Sequence, residues 1–466
     1  MALFGLSLSA GENRRLGHRS GTRRQDWRRG RRGARTRFRP RIDALEERTL
    51  LSNVVTVTND NDSGIGSLRD AINNATSGEI VNFAHSAYGT ITLTSGPLQV
   101  NEIDLTIQGP GAKKLTISGG GNFTDFILLS PLPPTSPPPA SFVPNSVNIS
   151  GLTIASGNAI NNGFGDGGGI LSFDALTVSN SVLVNNQAPG DFGSGGAIYS
   201  GCCGNASLSL DHDVFARNSV GSSSVTDGIQ QGGAIFNADG VATISSSTFT
   251  NNQALGYSAQ GGAISSNGGT LDVAGTTFLG NQAVGGSSTS GLGGSATGGA
   301  IAAFSSVLNL SADTFFGNEA LGGSSPMGVQ SAIGGAVYSL SGNPFAPNPT
   351  STISNSLFLG NEAIAGIGGG PLALTGGGAI GYSSNTPLNV SNTNFLGNQV
   401  VGSRGLSGGA GTEADGGAIW AEGSILTIQG GLIVGNNAVG GRGGDAQGSN
   451  GGDGGTGGDG GIASLQ

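Results

Sequence analysis

Asp211, His212 and Asp213 place the third and last histidine of the chain between two carboxylates, the arrangement from which general acid-base chemistry is most readily built. Glycan hydrolysis needs two carboxyl groups flanking a sugar bond, and elimination needs a carboxylate-bound metal beside a basic residue; either set must converge on one face. The carboxylates of this sequence are scattered, and after Lys114 positive charge comes only from Arg217, Arg404 and Arg442. The three residues also align with Ser179-Asn180-Ser181, Ser245-Ser246-Ser247 and Ser354-Asn355-Ser356, so they read first as a substituted turn and second as a catalytic candidate. Asp60 and Asp62 offer oxygen ligands that calcium would take, but the later Glu of an EF-hand loop is missing, and turn chemistry is the main reading. No other cofactor is implied. Cys202 and Cys203 are adjacent, leaving a strained vicinal disulfide or two free thiols as the options.

The scaffold that must position these groups is a repeat. A Gly-Gly-Ala-Ile start, two apolar residues two apart, a Phe-like residue five further on and an Asn three beyond that recur eight times, as in Gly232-Gly233-Ala234-Ile235, Ala242, Ile244, Phe249 and Asn252. The first-strand column runs Ile170, Ile198, Ile235, Ile264, Ile301, Val337, Ile380, Ile419. Short period-two runs broken by Gly, Ser and Asn are strands and turns, and three such strands close a core only by stacking copy on copy. The predicted fold is all-β: a right-handed parallel β-helix, a solenoid of the pectate-lyase type with three short strands per rung. At about 4.8 Å per rung, eight regular and roughly four irregular rungs make a rod on the order of 55 to 60 Å long.

The Asn column, Asn186, Asn218, Asn252, Asn281, Asn318, Asn361, Asn398 and Asn436, is expected to be structural. It would occupy a corner where Asn takes a left-handed backbone and its amide bonds the Asn of the next rung. Extra length accumulates between that corner and the next Gly-Gly, so Gly-, Ser- and Thr-rich loops should emerge along one edge. Strand alternation then sends one column outward from the Ile strand, including Tyr199, Phe236, Tyr338 and Trp420. Displayed aromatic rings would stack on sugars or meet a partner protein, unless the loops fold back over them.

The chain divides into an Arg-rich leader (1–52), a capping segment (53–78), irregular early rungs (79–166) interrupted by a Pro-rich excursion (131–144), eight regular rungs (167–438) and a Gly-rich tail (439–466). The leader holds 14 of the 20 basic residues against five acids, while the remainder carries six basic residues and 24 acids. Such asymmetry marks a targeting segment, and an acidic body argues against nucleic acid as the partner of the arginines. In the capping segment Ser67 and Asp70 form an approximate capping box, and Leu68, Ala71, Ile72 and Ala75 share one helix face that would cover the first rung. The Gly-rich tail lacks the apolar position of calcium-binding nonapeptide repeats and reads as a linker or loose edge. No run of 18 apolar residues is present, so no transmembrane helix is expected.

Three stretches carry resemblances. Leu45-Glu46-Glu47-Arg48-Thr49-Leu50-Leu51-Ser52 resembles the Leu-Glu-x-Arg-x-Leu-Leu-Ser segment of planctomycete exported proteins, which implies export. Asn61-Asp62-Ser63-Gly64-Ile65-Gly66-Ser67-Leu68-Arg69-Asp70-Ala71-Ile72 is similar to the opening of bacterial surface β-helix proteins with variable C-terminal anchors. The Gly-Gly-Ala-Ile and Phe-x-x-Asn halves resemble the repeats of polymorphic outer-membrane proteins and autotransporter passengers, which implies surface display and adhesion; the C-terminal membrane barrel of that family is not found after Asn436. The resulting expectation is an exported, non-catalytic solenoid that contacts extracellular glycans or surface proteins, with end-to-end association through its last rung. A polysaccharide lyase or glycoside hydrolase on the same scaffold is the alternative.

Overall fold

The computed structural model describes residues 53–465 except 102, 130–142, 202–205, 223–227, 329–330, 342–349, 369–372, 408 and 446–461. The Arg-rich leader, nearly all of the Pro-rich excursion, both cysteines and most of the Gly-rich tail therefore lie outside the described residues. The body is a parallel β-helix. Its strands are distributed over sheets of twelve, eleven, eleven, eight and five members, and their pairings are parallel. In the rung that starts at Gly232 the strands are Ile235–Ala238, Val241–Ser245, Thr248–Thr250, Gln253–Gly256 and Ser258–Gln260.

Register is set by like on like. Ile235 lies between Ile198 and Ile264, and Phe249 lies between Phe215 and Phe278. Six rings from Phe215 to Phe395 form a continuous stack, with centroids 4.6–5.0 Å apart and planes within 10° of parallel. A one-residue slip would turn every ring out of the core, so the hydrophobic pattern itself fixes the pairing. The two glycines of each start do different jobs. Gly232 has φ 67°, a left-handed backbone that a side chain would strain, whereas a Cβ on Gly233 would run into the carbonyl oxygen of Gly262 in the next rung.

Three strands per rung is an undercount. Each regular rung adds a fourth strand directly after its Asn, from Gln187–Ala188 to Asn437–Val439. Five rungs add a fifth: Ile229–Gln231, Ser258–Gln260, Ser295–Thr297, Ala332–Ile333 and Thr375–Gly376. The expected emergent loops thus pair with one another. Ala254, Ala259, Ala283, Ala296 and Ala320 close between the fourth and fifth strands as a thin second core.

The two ends differ. At the N-terminal end helix α1, Leu68–Asn73, places Leu68, Ala71 and Ile72 in the main core. Its Ser67 hydroxyl accepts from the Asp70 N–H, and the Asp70 carboxylate accepts from the Gly66 N–H, one residue short of the reciprocal capping-box bond. At the C-terminal end Leu426–Gln429, Ile433–Val434 and Asn437–Val439 are the last strands of their sheets, and Ile462–Leu465 adds one strand to the Ile sheet alone. Ile433 is 36% exposed, while its equivalent Phe395 is fully buried.

Candidate functional site

In the regular rungs before the last, both corners follow one rule: a residue with left-handed backbone, then a buried polar residue that bonds the next rung. At the corner after the Phe strand the left-handed residues are Asn185, Arg217, Asn251, Gly280, Gly317, Gly360, Gly397 and Gly435, with φ 53–69°. The expectation that the Asn column itself takes this backbone is therefore off by one position. The column faces inward, and Asn186 to Asn398 are fully buried. In each, the backbone N–H and Nδ2 both donate to Oδ1 of the next Asn, the side-chain bonds measuring 2.8–3.1 Å from Asn186 to Asn436. Nδ2 also donates to the carbonyl at the Phe position of the previous rung, as Asn218 does to Leu183 and Asn281 to Phe249.

The other corner decides the fate of Asp211-His212-Asp213. His212 is its left-handed residue, with φ 57°, equivalent to Asn180 and Ser246. Asp213 is buried in a ladder of its own: the Ser181 N–H donates to Asp213 Oδ1, the Asp213 N–H to Ser247 Oγ, Ser247 to Thr276, Thr276 to Asp313, Asp313 to Ser356 and Ser356 to Thr393. Burial pushes the Asp213 carboxyl up to about 7, against the bonds from the Ser181 and Asp211 N–H groups. Asp211 and His212 meet outside at 2.7 Å, exposed to solvent. The chain direction thus splits the motif, with one carboxyl inside and an imidazole-carboxylate pair outside.

Asp62 is consumed by a lock at the N-terminal cap. Its carboxylate meets Arg69 at 2.6 Å and accepts from the backbone and hydroxyl groups of Thr94 and Ser95, while Arg69 also reaches the carbonyls of Gly96 and Pro97. Burial acts to raise this carboxyl, and the bonds from Arg69, Ser95 and Thr94 outweigh it and hold it at about 2. Asp62 is thus engaged by donors of the chain itself, and Asp60 lies exposed beside it. Among the described residues no three His, Cys, Asp or Glu side chains gather as a metal site.

The outward aromatic column is mostly covered. Phe236, Tyr338 and Trp420 are buried, contrary to the expectation of a displayed row. The fifth strands fold back over it: Ile333 packs with Tyr338 and Trp420, and a Cβ on Gly376 would strike the Trp420 ring. Tyr199 is half-buried and belongs to a different group, in which Phe164, Phe173, Tyr199 and Phe236 meet in turn at 5.6, 6.0 and 5.5 Å, each ring tilted on the last. Burial raises the Tyr199 hydroxyl, helped by the charges of Asp166 and Asp239. Asp166 is half-buried, and burial pushes its carboxyl up to about 6 despite bonds from Ser194.

Two acids escaped sequence reasoning. Asp166 sits in a Gly-rich turn with no motif around it. Asp125 takes the place of a missing ladder residue: Gly157, whose N–H donates to Asn186 Oδ1, has no side chain, and a Cβ there would strike Asp125 Oδ2. Burial pushes the Asp125 carboxyl well above its usual range, with the Gly119 N–H opposing. Outside this corner Ser118, Gly120, Gly121, Ser156, Gly157, Asn158, Asn185 and Gln187 line an open cleft of about 490 Å³ without a titratable group.

No protein-family model matches the chain, and no curated protein matches it. Solved structures similar to it include the surface protein and adhesin PfbA of Streptococcus pneumoniae, at 13% identity over 81% of this chain and 97% of that one, TM-score 0.30. The catalytic unit of a thermostable α-1,3-glucanase from Streptomyces thermodiastaticus matches at 15% identity over 81% of this chain and 68% of its own, TM-score 0.27. The endo-xylogalacturonan hydrolase of Aspergillus tubingensis matches at 11% over 82% and 96%, TM-score 0.26. At these identities and scores none of their activities carries over.

Proposed function

We propose that this chain is an exported β-solenoid that serves as a cell-surface or extracellular structural and adhesive element, binding glycans or partner proteins along its side. The split of Asp211-His212-Asp213 carries this reading. The best sequence candidate for acid-base chemistry spends one carboxyl in an interior ladder and leaves the other two groups as an exposed pair, so the motif does not aim two carboxyls at one substrate bond. Regular ladders at both corners suit a rod that must stay straight under load. The half-exposed Ile433 rung supports end-to-end association through the C-terminal end, since α1 covers the other. No helix among the described residues is long and apolar enough to cross a membrane, so attachment by such a helix is not part of the proposal.

The test is a glycan-array screen of the full chain with reducing-end release measured on every glycan that binds. Binding without release is expected. New reducing ends, abolished by Asp211→Asn and His212→Ala, would replace the adhesive reading with a hydrolytic one.

A further inference from the structure

Three large aromatic side chains stand well out of the described surface, Phe164 at 59%, Phe192 at 71% and Phe316 at 47% exposure. Phe164 is two residues before Asp166, and Phe192 is two residues before Ser194, whose side chain and backbone both bond Asp166. The exposure of Phe164 is not slack in a loop. Asn162 Oδ1 accepts from the N–H groups of Phe164 and Gly165 at 3.0 and 2.8 Å, and its Nδ2 donates to Thr124 Oγ1 at 2.9 Å and to the Asp166 carbonyl at 2.6 Å. One amide thus pins the backbone on both sides of an exposed ring. An apolar ring held out in water by a built clamp loses little entropy when something stacks on it.

The chemistry around the ring narrows what that is. Phe164 meets Phe173 at 5.6 Å and 67°, and Phe173 meets Tyr199 at 6.0 Å and 73°, which makes an angled wall rather than a flat stack. Asp166 Oδ1 is buried and has no hydrogen-bond partner, and Asp239 adds a second negative charge near the Tyr199 hydroxyl. A pyranose offers an apolar face to an aromatic ring, and its hydroxyl or amine groups are donors of the kind that a buried carboxylate oxygen without a partner lacks. Acidic sugars would be repelled by both aspartates and by a body with six basic residues against 24 acids.

We infer that Phe164, Phe173, Tyr199 and Asp166 form a subsite for one pyranose unit of a neutral or amino-bearing glycan, an assignment that rests on the glycan-binding role proposed above.

Calorimetric titration of the full chain with cellotetraose, chitosan tetraose and tetragalacturonate tests it. Cellotetraose or chitosan tetraose should bind, and tetragalacturonate should bind at least tenfold more weakly. Phe164→Ser and Asp166→Asn should each weaken binding about tenfold, Phe164→Ser without moving the melting temperature, and Phe316→Ser on another sheet should leave binding unchanged. Binding within twofold of the parent in both Phe164→Ser and Asp166→Asn would overturn the subsite and leave the adhesive reading standing. Equal or tighter binding of tetragalacturonate would overturn it as well. Failure of all three probes would discard the subsite, and an empty glycan array would discard the glycan part of the wider reading with it.

Discussion

The two corners of the coil solve one geometric problem with different side chains. Each turns the chain with a single left-handed residue and follows it with a buried polar group that accepts the neighbouring rung's N–H. After the Phe strand that group is always Asn, which gives and takes at once: Oδ1 receives two bonds from the previous rung while Nδ2 spans to two acceptors. At the other corner it is Ser, Thr or Asp, and the ladder is thinner, with hydroxyl acceptors at 3.1–3.4 Å and carboxyl acceptors at 2.8 Å. A uniform ladder demands one residue type because each member is both donor and acceptor. A mixed ladder tolerates substitution because each member need only accept.

That contrast is broken most directly by removing one member from each ladder. Asn281→Leu strands the Asn252 N–H inside the coil, takes one of the two acceptors from Asn252 Nδ2 and removes a donor from the Phe249 carbonyl, and should cost roughly 3–5 kcal/mol. Thr276→Val removes the single acceptor of the Ser247 N–H and should cost about 1–2 kcal/mol. Urea denaturation of both variants checks the ranking. Equal losses would mean that the corners are energetically alike and that the Asn identity reflects something other than the doubled bonding.

The second difference is charge. Burial pushes Asp313 up to about 7, against the bonds from the Thr276 and Ser311 N–H groups, as it does Asp213; the Asn ladder holds no such group. A carboxyl raised in the folded state above its unfolded value of 3.8 contributes stability that is complete below pH 4 and is lost as pH rises through 7. Asp313→Thr, which installs a residue this corner already uses, should therefore gain stability relative to the parent as pH is raised from 5 to 7, on the order of 1 kcal/mol per pH unit. Melting curves of parent and variant across that range decide it. Parallel pH profiles would show that the Asp313 carboxyl titrates in its ordinary range and that the corner tolerates a charge.

Much of this was open to reading in the sequence, and the parts that were not share a cause. The Ile, Phe and Asn columns state the coil and its register because each rung repeats the same inward residue. The fourth strand was equally periodic, since Asn252-Gln253-Ala254 alternates inward and outward, but its inward residue is usually Ala, too small to register as an apolar signal. Alternation also says which way Phe236, Tyr338 and Trp420 leave their strand and nothing about what lies over that face. The cover comes from Gly-, Ser- and Thr-rich segments of unequal length that pair only with one another, a relation between rungs that no single window contains. The subsite was hidden for the same reason, because Phe173 and Tyr199 belong to consecutive rungs and the rings of Phe164, Phe173 and Tyr199 meet in one wall only when the rungs stack.

The finest test of the two corners concerns the left-handed position itself. After the Phe strand five of its eight occupants are Gly and two are Asn, the types that adopt this backbone at least cost. The other corner includes Ala312, at φ 56°, with a Cβ that opposes the conformation and no polar atom to bond the local backbone. The residue at the same place one rung on is Asn355, at φ 51°. Ala312→Asn should relieve that cost and stabilise the coil by about 1 kcal/mol, read as a higher denaturation midpoint with unchanged slope. A loss instead would show that the Ala312 methyl is held by its surroundings strongly enough to repay the strain, and that this corner selects its turn residue by packing where the other selects it by backbone freedom.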